Sequence, residues 1–150
     1  MEAYIGGIEF GFGRDTNNKN ISVNIYFSGC SKEPKCPGCH NPHLWKKENG
    51  ILMTLTYLKE YIKIQSTLAD ALVFLGGEPL DQELAVLELA VVADDYGMNT
   101  YLYTGKEGDE VSEIVKDTID VIISGPYISE LANPMGTWPP SKNQVITRKE

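Results

Sequence analysis

Four short runs of strand-forming residues each stop at a glycine-bearing turn, and helical patterns separate most of them. Residues 21–27 lead into Ser28-Gly29-Cys30, 71–75 end at Gly76-Gly77, 99–103 at Thr104-Gly105, and 119–123 at Ser124-Gly125. The 71–75 run is continuously apolar, as a strand buried on both faces should be. Thr54 is placed to cap a helix with Leu55, Leu58, Tyr61 and Ile62 on one face. Residues 81–96 carry Leu84, Leu87 and Val91 at helical spacing, with Gly97 at the C-terminal cap, and 110–116 read as a short helix. Alternating strand and helix predicts an α/β fold with a mostly parallel open sheet. Loops that follow parallel strands share one sheet edge, and ligands bind there. The four turns named above should therefore lie together. The first twenty residues are rich in glycine and end in the polar turn 15–20, and the Pro-rich tail closes on a short strand at 145–147.

Between the first strand and the first helix lie all three cysteines of the chain, Cys30, Cys36 and Cys39, in a C-x5-C-x2-C loop. Three thiolates can hold a metal centre while leaving one position open. Iron–sulfur clusters are held by cysteine thiolates, whereas structural zinc is closed by four protein ligands, here Cys30, Cys36, Cys39 and His43. The spacing alone leaves both open. An odd, clustered cysteine set favours metal or redox chemistry over a disulfide framework. The Gly76-Gly77-Glu78-Pro79 turn adds two glycines that let a ligand approach the backbone, carbonyls that accept from an ammonium, and a carboxylate that can join them.

Composition narrows the classes. Of 150 residues, 42% are hydrophobic, with no low-complexity tract, which fits one globular domain, 1–150. The net charge of −8 argues against a nucleic-acid surface. Lys32 and Lys35 in the cysteine loop, followed by Lys46 and Lys47, form the one local basic group. No apolar stretch reaches the roughly 20 residues of a membrane span. The N-terminus lacks the pattern of a signal peptide, so a cytoplasmic location is expected.

Taken together, the motifs resemble the radical S-adenosylmethionine superfamily and, more narrowly, the small activating enzymes of anaerobic ribonucleotide reductase. The blocks that carry the resemblance occur in order along most of the chain. They are Phe27-Ser28-Gly29-Cys30, then Cys36-Pro37-Gly38-Cys39-His40-Asn41 with Trp45, then Gly76-Gly77-Glu78-Pro79-Leu80. Tyr103-Thr104-Gly105, Asp120-Val121-Ile122-Ile123, Trp138 and Asn143-Gln144 follow. The resemblance implies a partial (βα) barrel and a [4Fe-4S] cluster on Cys30, Cys36 and Cys39. It implies S-adenosyl-L-methionine bound near Gly38, Cys39, His40, Asn41, Gly76, Gly77 and Glu78, with Thr104 and Ser124 toward the ribose. No catalytic side chain beyond cluster and cofactor is implied.

The implied reaction is reductive cleavage of S-adenosylmethionine to a 5′-deoxyadenosyl radical, which makes a glycyl radical on a partner enzyme. A reduced flavodoxin or ferredoxin would donate the electron. With about four βα segments, the chain is short of the roughly 200 residues of a closed barrel, so a protein partner should complete the enclosure. Another glycyl-radical enzyme, a small metabolite, or a zinc-binding interaction module are the other readings. The chain departs from the family pattern in its five-residue first cysteine gap, where the family has three. It also has Gly-Gly-Glu for the commoner Gly-Gly-Asp, Ser124-Gly125 for Asp-Gly, and Trp138-Pro139-Pro140 for Trp-Arg-Gly. The two extra loop residues are expected to bulge at Glu33-Pro34. Trp45 and Trp138 are expected to pack in the core or at its rim.

Overall fold

The computed structural model describes residues 1–135 and 137–149. Among them, seven strands form one sheet: β1 (Glu2–Phe12), β2 (Ile21–Phe27), β3 (Ile51–Thr54), β4 (Ala71–Gly76), β5 (Asn99–Thr104), β6 (Val121–Ser124) and β7 (Val145–Arg148). Their order across the sheet is β3-β1-β2-β4-β5-β6-β7. The central strands β2, β4, β5 and β6 run parallel, with Phe27 opposite Gly76, Ala71 opposite Asn99 and Thr104 opposite Ser124. Antiparallel strands flank them on both sides. The sheet stays open, with β3 and β7 at its edges. The α/β architecture expected from the strand–helix alternation is found, with a parallel core inside a mixed sheet whose three outer pairings are antiparallel.

Alternation along the strands divides the apolar side chains between two faces. Val23, Ile25, Phe27, Leu72, Phe74, Leu102 and Ile122 pack against helices α1 (Leu55–Gln65), α2 (Glu83–Asp95) and α3 (Glu113–Thr118) in the main core. On the opposite face, Ala71, Val73, Leu75, Tyr101, Val121 and Ile123 form a second cluster with Tyr26, Tyr103, Trp138 and Ile146. Among the described residues, none of the three α-helices packs on that face. Both neighbours of β4 are strands and both its faces are covered, which explains its unbroken apolar sequence.

Thr54 does cap α1, its hydroxyl accepting the Tyr57 N–H at 3.2 Å. The expected second helix also forms, but on another face. Leu84 and Val91 are exposed, and Ala85, Val86, Leu89, Ala90 and Ala93 are buried. The segment is apolar around most of its circumference, so spacing fits two stripes. The alanine stripe lets the helix lie closer to the sheet and takes the core side. The short third helix is shifted, from 110–116 to Glu113–Thr118, because Ser112 is its cap.

The glycine-rich N-terminus, to which the pattern assigned no element, forms the longest strand, β1. Its glycines make room rather than break the strand. A side chain at Gly6 would overlap Leu44, and one at Gly11 would press on Ser22 and Asn24. A register shift between Ile5 and Gly7 bends the strand there.

Candidate functional site

The parallel strands β2, β4, β5 and β6 deliver their C-terminal turns to one edge of the sheet. The cysteine loop leaves β2 there, and its first residues are held by backbone bonds from several directions. Ser28 N–H donates to Tyr4 O at 3.1 Å, Gly29 N–H to Leu44 O at 2.7 Å and Cys30 N–H to Trp45 O at 3.0 Å. The double glycine after β4 packs against the same segment. Gly77 N–H donates to Phe27 O and Glu78 N–H to Gly29 O, both at 2.8 Å. A Cβ at Gly77 would overlap the Gly29 carbonyl oxygen, and one at Gly76, whose φ is +117°, would overlap the Phe27 backbone. The glycines thus bring the β4 turn into backbone contact with the loop that carries Cys30.

Three polar side chains fan out from the turn that follows, those of Glu78, Asp81 and Gln82. Glu78 is buried at 3% exposure, and its carboxylate accepts from Leu80 N–H (3.0 Å), Thr104 Oγ1 (2.8 Å) and Gly105 N–H (2.8 Å). Burial raises its pKa above the usual carboxylate range, against the pull of these donors. Asp81 accepts from the N–H and the hydroxyl of Ser31, each at 2.7 Å. Gln82 bridges Tyr4 through both its amide atoms and donates to Ser28 O at 3.2 Å. Asp81 and Gln82 escaped sequence reasoning, because at a helix start they read as ordinary first-turn residues.

Within the loop, Cys30, Cys36 and Cys39 are all free and half-buried. Burial pushes the thiols of Cys30 and Cys36 up, while the Lys32 and Tyr127 N–H groups hydrogen-bond their respective sulfurs and favour the thiolate. Lys35 and Lys32 act on the same two sulfurs as nearby cations. Cys39 N–H donates to Cys36 O at 3.1 Å, closing the tight C-x2-C turn. Gly38 in that turn has φ +72°, and a side chain there would overlap Ser129. Glu33 and Pro34 form an exposed bend, where the extra length was expected to bulge.

Among the described residues, no three His, Cys, Asp or Glu side chains gather as holding a metal ion requires. A cluster, by contrast, spreads its thiolates over separate irons. Three free thiols on one loop, with N–H donors aimed at two of the sulfurs, suit that donor chemistry. His43 is exposed, and its carbonyl accepts from Asn49 Nδ2 at 2.8 Å.

The remaining expected residues fall into two groups. His40 stacks on Tyr127, with ring centroids 4.3 Å apart, and Ser129 N–H donates to Pro37 O at 3.2 Å, so the segment after β6 lies against the cysteine loop. Asn41 opens a 3-10 turn, Pro42–Leu44, its carbonyl accepting the Leu44 N–H. Thr104 and Ser124 are instead buried at 4% and 2%, with hydroxyls turned to Glu78 and to Val145 O. Their polar atoms face the protein rather than the open edge. Trp138 packs in the helix-free cluster and donates to Tyr103 Oη at 2.7 Å, whereas Trp45 sits partly exposed at the rim, under the Lys35 ammonium. A cavity of about 210 Å³ opens between the loop and the strand ends, lined by Ser31, Lys32, Glu78, Gly105 and Lys106 among others.

Comparison with known proteins places this edge in context. A family model described as a 4Fe-4S single cluster domain matches residues 17–147. The anaerobic ribonucleoside-triphosphate reductase-activating protein of Salmonella typhimurium is 31% identical over 144 residues, covering 87% of this chain and 90% of that protein. Its Escherichia coli namesake is 28% identical over 140 residues with the same coverage. The crystal structure of QueE from Escherichia coli superposes with a TM-score of 0.58 at 19% identity, covering 70% of this chain and 53% of that one, a likeness of fold. No described helix is long and apolar enough to cross a membrane. The chain belongs to the family of 4Fe-4S single cluster domains that includes the anaerobic ribonucleoside-triphosphate reductase-activating proteins.

Proposed function

We propose that residues 1–150 are one radical S-adenosylmethionine domain that generates a glycyl radical on a partner enzyme, anaerobic ribonucleotide reductase, in the cytoplasm. The observation that carries this reading is the backbone contact between the Cys30 segment and the Gly76-Gly77-Glu78 turn on the open edge of a parallel sheet. The relatives bearing the activating protein's name support the choice of partner.

Cys30, Cys36 and Cys39 are the residues that would hold a [4Fe-4S] cluster, with one iron left for an outside ligand. Reduced by an external one-electron donor, such a cluster would supply the electron for reductive cleavage of S-adenosylmethionine and so the radical chemistry that oxidises the target. The chain's own residues bind and orient. The carbonyls of Gly76 and Gly77 offer acceptors to the methionine ammonium. Glu78 braces that turn through Thr104 and Gly105 rather than reaching outward, its polar capacity largely taken up by three donors. Gly38, His40 and Asn41 flank the adenosyl side. Thr104 and Ser124 contribute at the ribose side through backbone and the adjoining glycines, their hydroxyls being engaged within the protein.

The sheet does not close into a barrel, its edges being β3 and β7, and this leaves the reaction space open on one side. A loop of the partner enzyme closes it and excludes water. Lys32, Lys35, Lys46 and Lys47 give an acidic chain a local basic rim suited to an acidic electron donor of the flavodoxin or ferredoxin kind.

Anaerobic incubation of the iron-reconstituted chain with S-adenosylmethionine and dithionite tests the reading. Methionine and 5′-deoxyadenosine should form in equal amounts, and Cys36→Ala should form neither. A chain that binds zinc but no iron, and cleaves nothing, overturns it.

A further inference from the structure

Five residues separate Cys30 from Cys36, and two charged side chains tie down this long gap. From inside the loop, the Lys35 ammonium donates to the Cys30 carbonyl, stands 3.4 Å from Glu33 Oε1 and lies 5.8 Å above the Trp45 ring. From the turn after β4, Asp81 accepts from both the N–H and the hydroxyl of Ser31, the residue that follows Cys30, each at 2.7 Å. Glu33 and Pro34, between these anchors, bend outward into solvent. The loop is therefore pinned at its first residues, and its surplus length is left outside.

We propose that Asp81 and Lys35 are paired positioning residues, which hold Cys30 in place across the long gap and set the electrostatic potential at its sulfur with opposite signs. Charge-assisted hydrogen bonds are among the stronger ones, and Ser31 donates two of them to one carboxylate. Asp81 sets a carboxylate against the residue that follows Cys30, and Lys35 sets an ammonium on the Cys30 carbonyl, so opposite charges flank one ligand. Neither side chain provides a thiolate. Each acts through Cys30 and its neighbour.

The inference rests on the reading of Cys30 as a cluster ligand. The experiment therefore has one arm that depends on the cluster and one that does not. In the metal-free chain, amide hydrogen exchange followed by nuclear magnetic resonance should show the Ser31 N–H exchanging about tenfold faster in D81A than in the unmodified chain. The amides of β4 and β5 should keep their protection, which shows that the variant is folded. In the reconstituted protein, the midpoint potential is read from a reductive titration followed by electron paramagnetic resonance. It should rise in D81N, where a negative charge is lost, and fall in K35M, where a positive charge is lost. The D81N/K35M double variant should return toward the unmodified value. A purely structural role would move both single variants the same way or lose iron from both alike. Equal-sign shifts, no shift, or unchanged Ser31 exchange in D81A overturn the inference. An unmodified chain that takes up no iron overturns the cluster reading instead, and the exchange arm still decides whether Asp81 holds Ser31.

Discussion

The hydroxyl of Thr104 donates to Oε2 of Glu78 at 2.8 Å, joining the ends of β5 and β4 through a carboxylate that is 3% exposed. Gly105 N–H and Leu80 N–H complete its hydrogen bonding. On sequence grounds Glu78 could add a charge-assisted contact to a bound cation; in the structure its carboxylate is turned inward and ties the turn after β4 to the end of β5.

That burial has a pH signature. Burial raises the Glu78 pKa above 4.5, so the folded chain holds this proton more tightly than the unfolded chain does. The contribution of Glu78 to stability is then fully present below the unfolded value and lost as pH rises through the folded one. Thermal melts of the unmodified chain and Glu78→Gln, compared from about pH 4 toward neutrality, should show the unmodified chain losing ground as pH rises. Glu78→Ala, which strands the donors, should cost about 1–3 kcal/mol in urea unfolding.

Gly77→Ala tests the backbone contact. The new methyl group would meet the carbonyl oxygens of Gly29 and Leu44, backbone atoms that cannot swing aside. A loss of about 1–3 kcal/mol in urea unfolding is expected. Iron uptake should fall with it, because the displaced segment carries Cys30.

Tyr103→Phe tests the tail. The Tyr103 hydroxyl donates to Asp15 O and accepts from Trp138 Nε1, both at 2.7 Å. Burial pushes its pKa well up, so it keeps its proton at ordinary pH. Its removal should cost about 1 kcal/mol and speed hydrogen exchange at the Trp138 indole N–H, which donates to it. Iron content should stay unchanged.

The ligand set is tested by single substitutions. Cys30→Ala, Cys36→Ala and Cys39→Ala should each lower bound iron after anaerobic reconstitution and abolish cleavage of S-adenosylmethionine. His43→Ala should leave both unchanged, since His43 is exposed and only its backbone carbonyl is engaged locally.

The sheet was legible because β2, β4, β5 and β6 each run through strand-forming residues into a glycine turn, and parallel strands put those turns on one edge. The long β1 was not legible. Its glycines look like loop residues until Leu44, Ser22 and Asn24 are seen to occupy the space their side chains would fill. The buried stripe of α2 was ambiguous because nearly every side of that helix is apolar. In the site, the cysteines and Gly76-Gly77 declared themselves by spacing, since covalent closeness dictates them. The grip of Asp81 on Ser31, 50 residues away, and of Gln82 on Tyr4, 78 residues away, depends on strand order that no local pattern encodes.

The central claim is that this edge makes a radical on another protein. The reconstituted chain, dithionite and S-adenosylmethionine are mixed anaerobically with anaerobic ribonucleotide reductase, and the electron paramagnetic resonance spectrum of the mixture is recorded. A glycyl radical on the reductase, absent when Cys36→Ala replaces the unmodified chain, is the predicted result. Release of 5′-deoxyadenosine without any glycyl signal would contradict the claim.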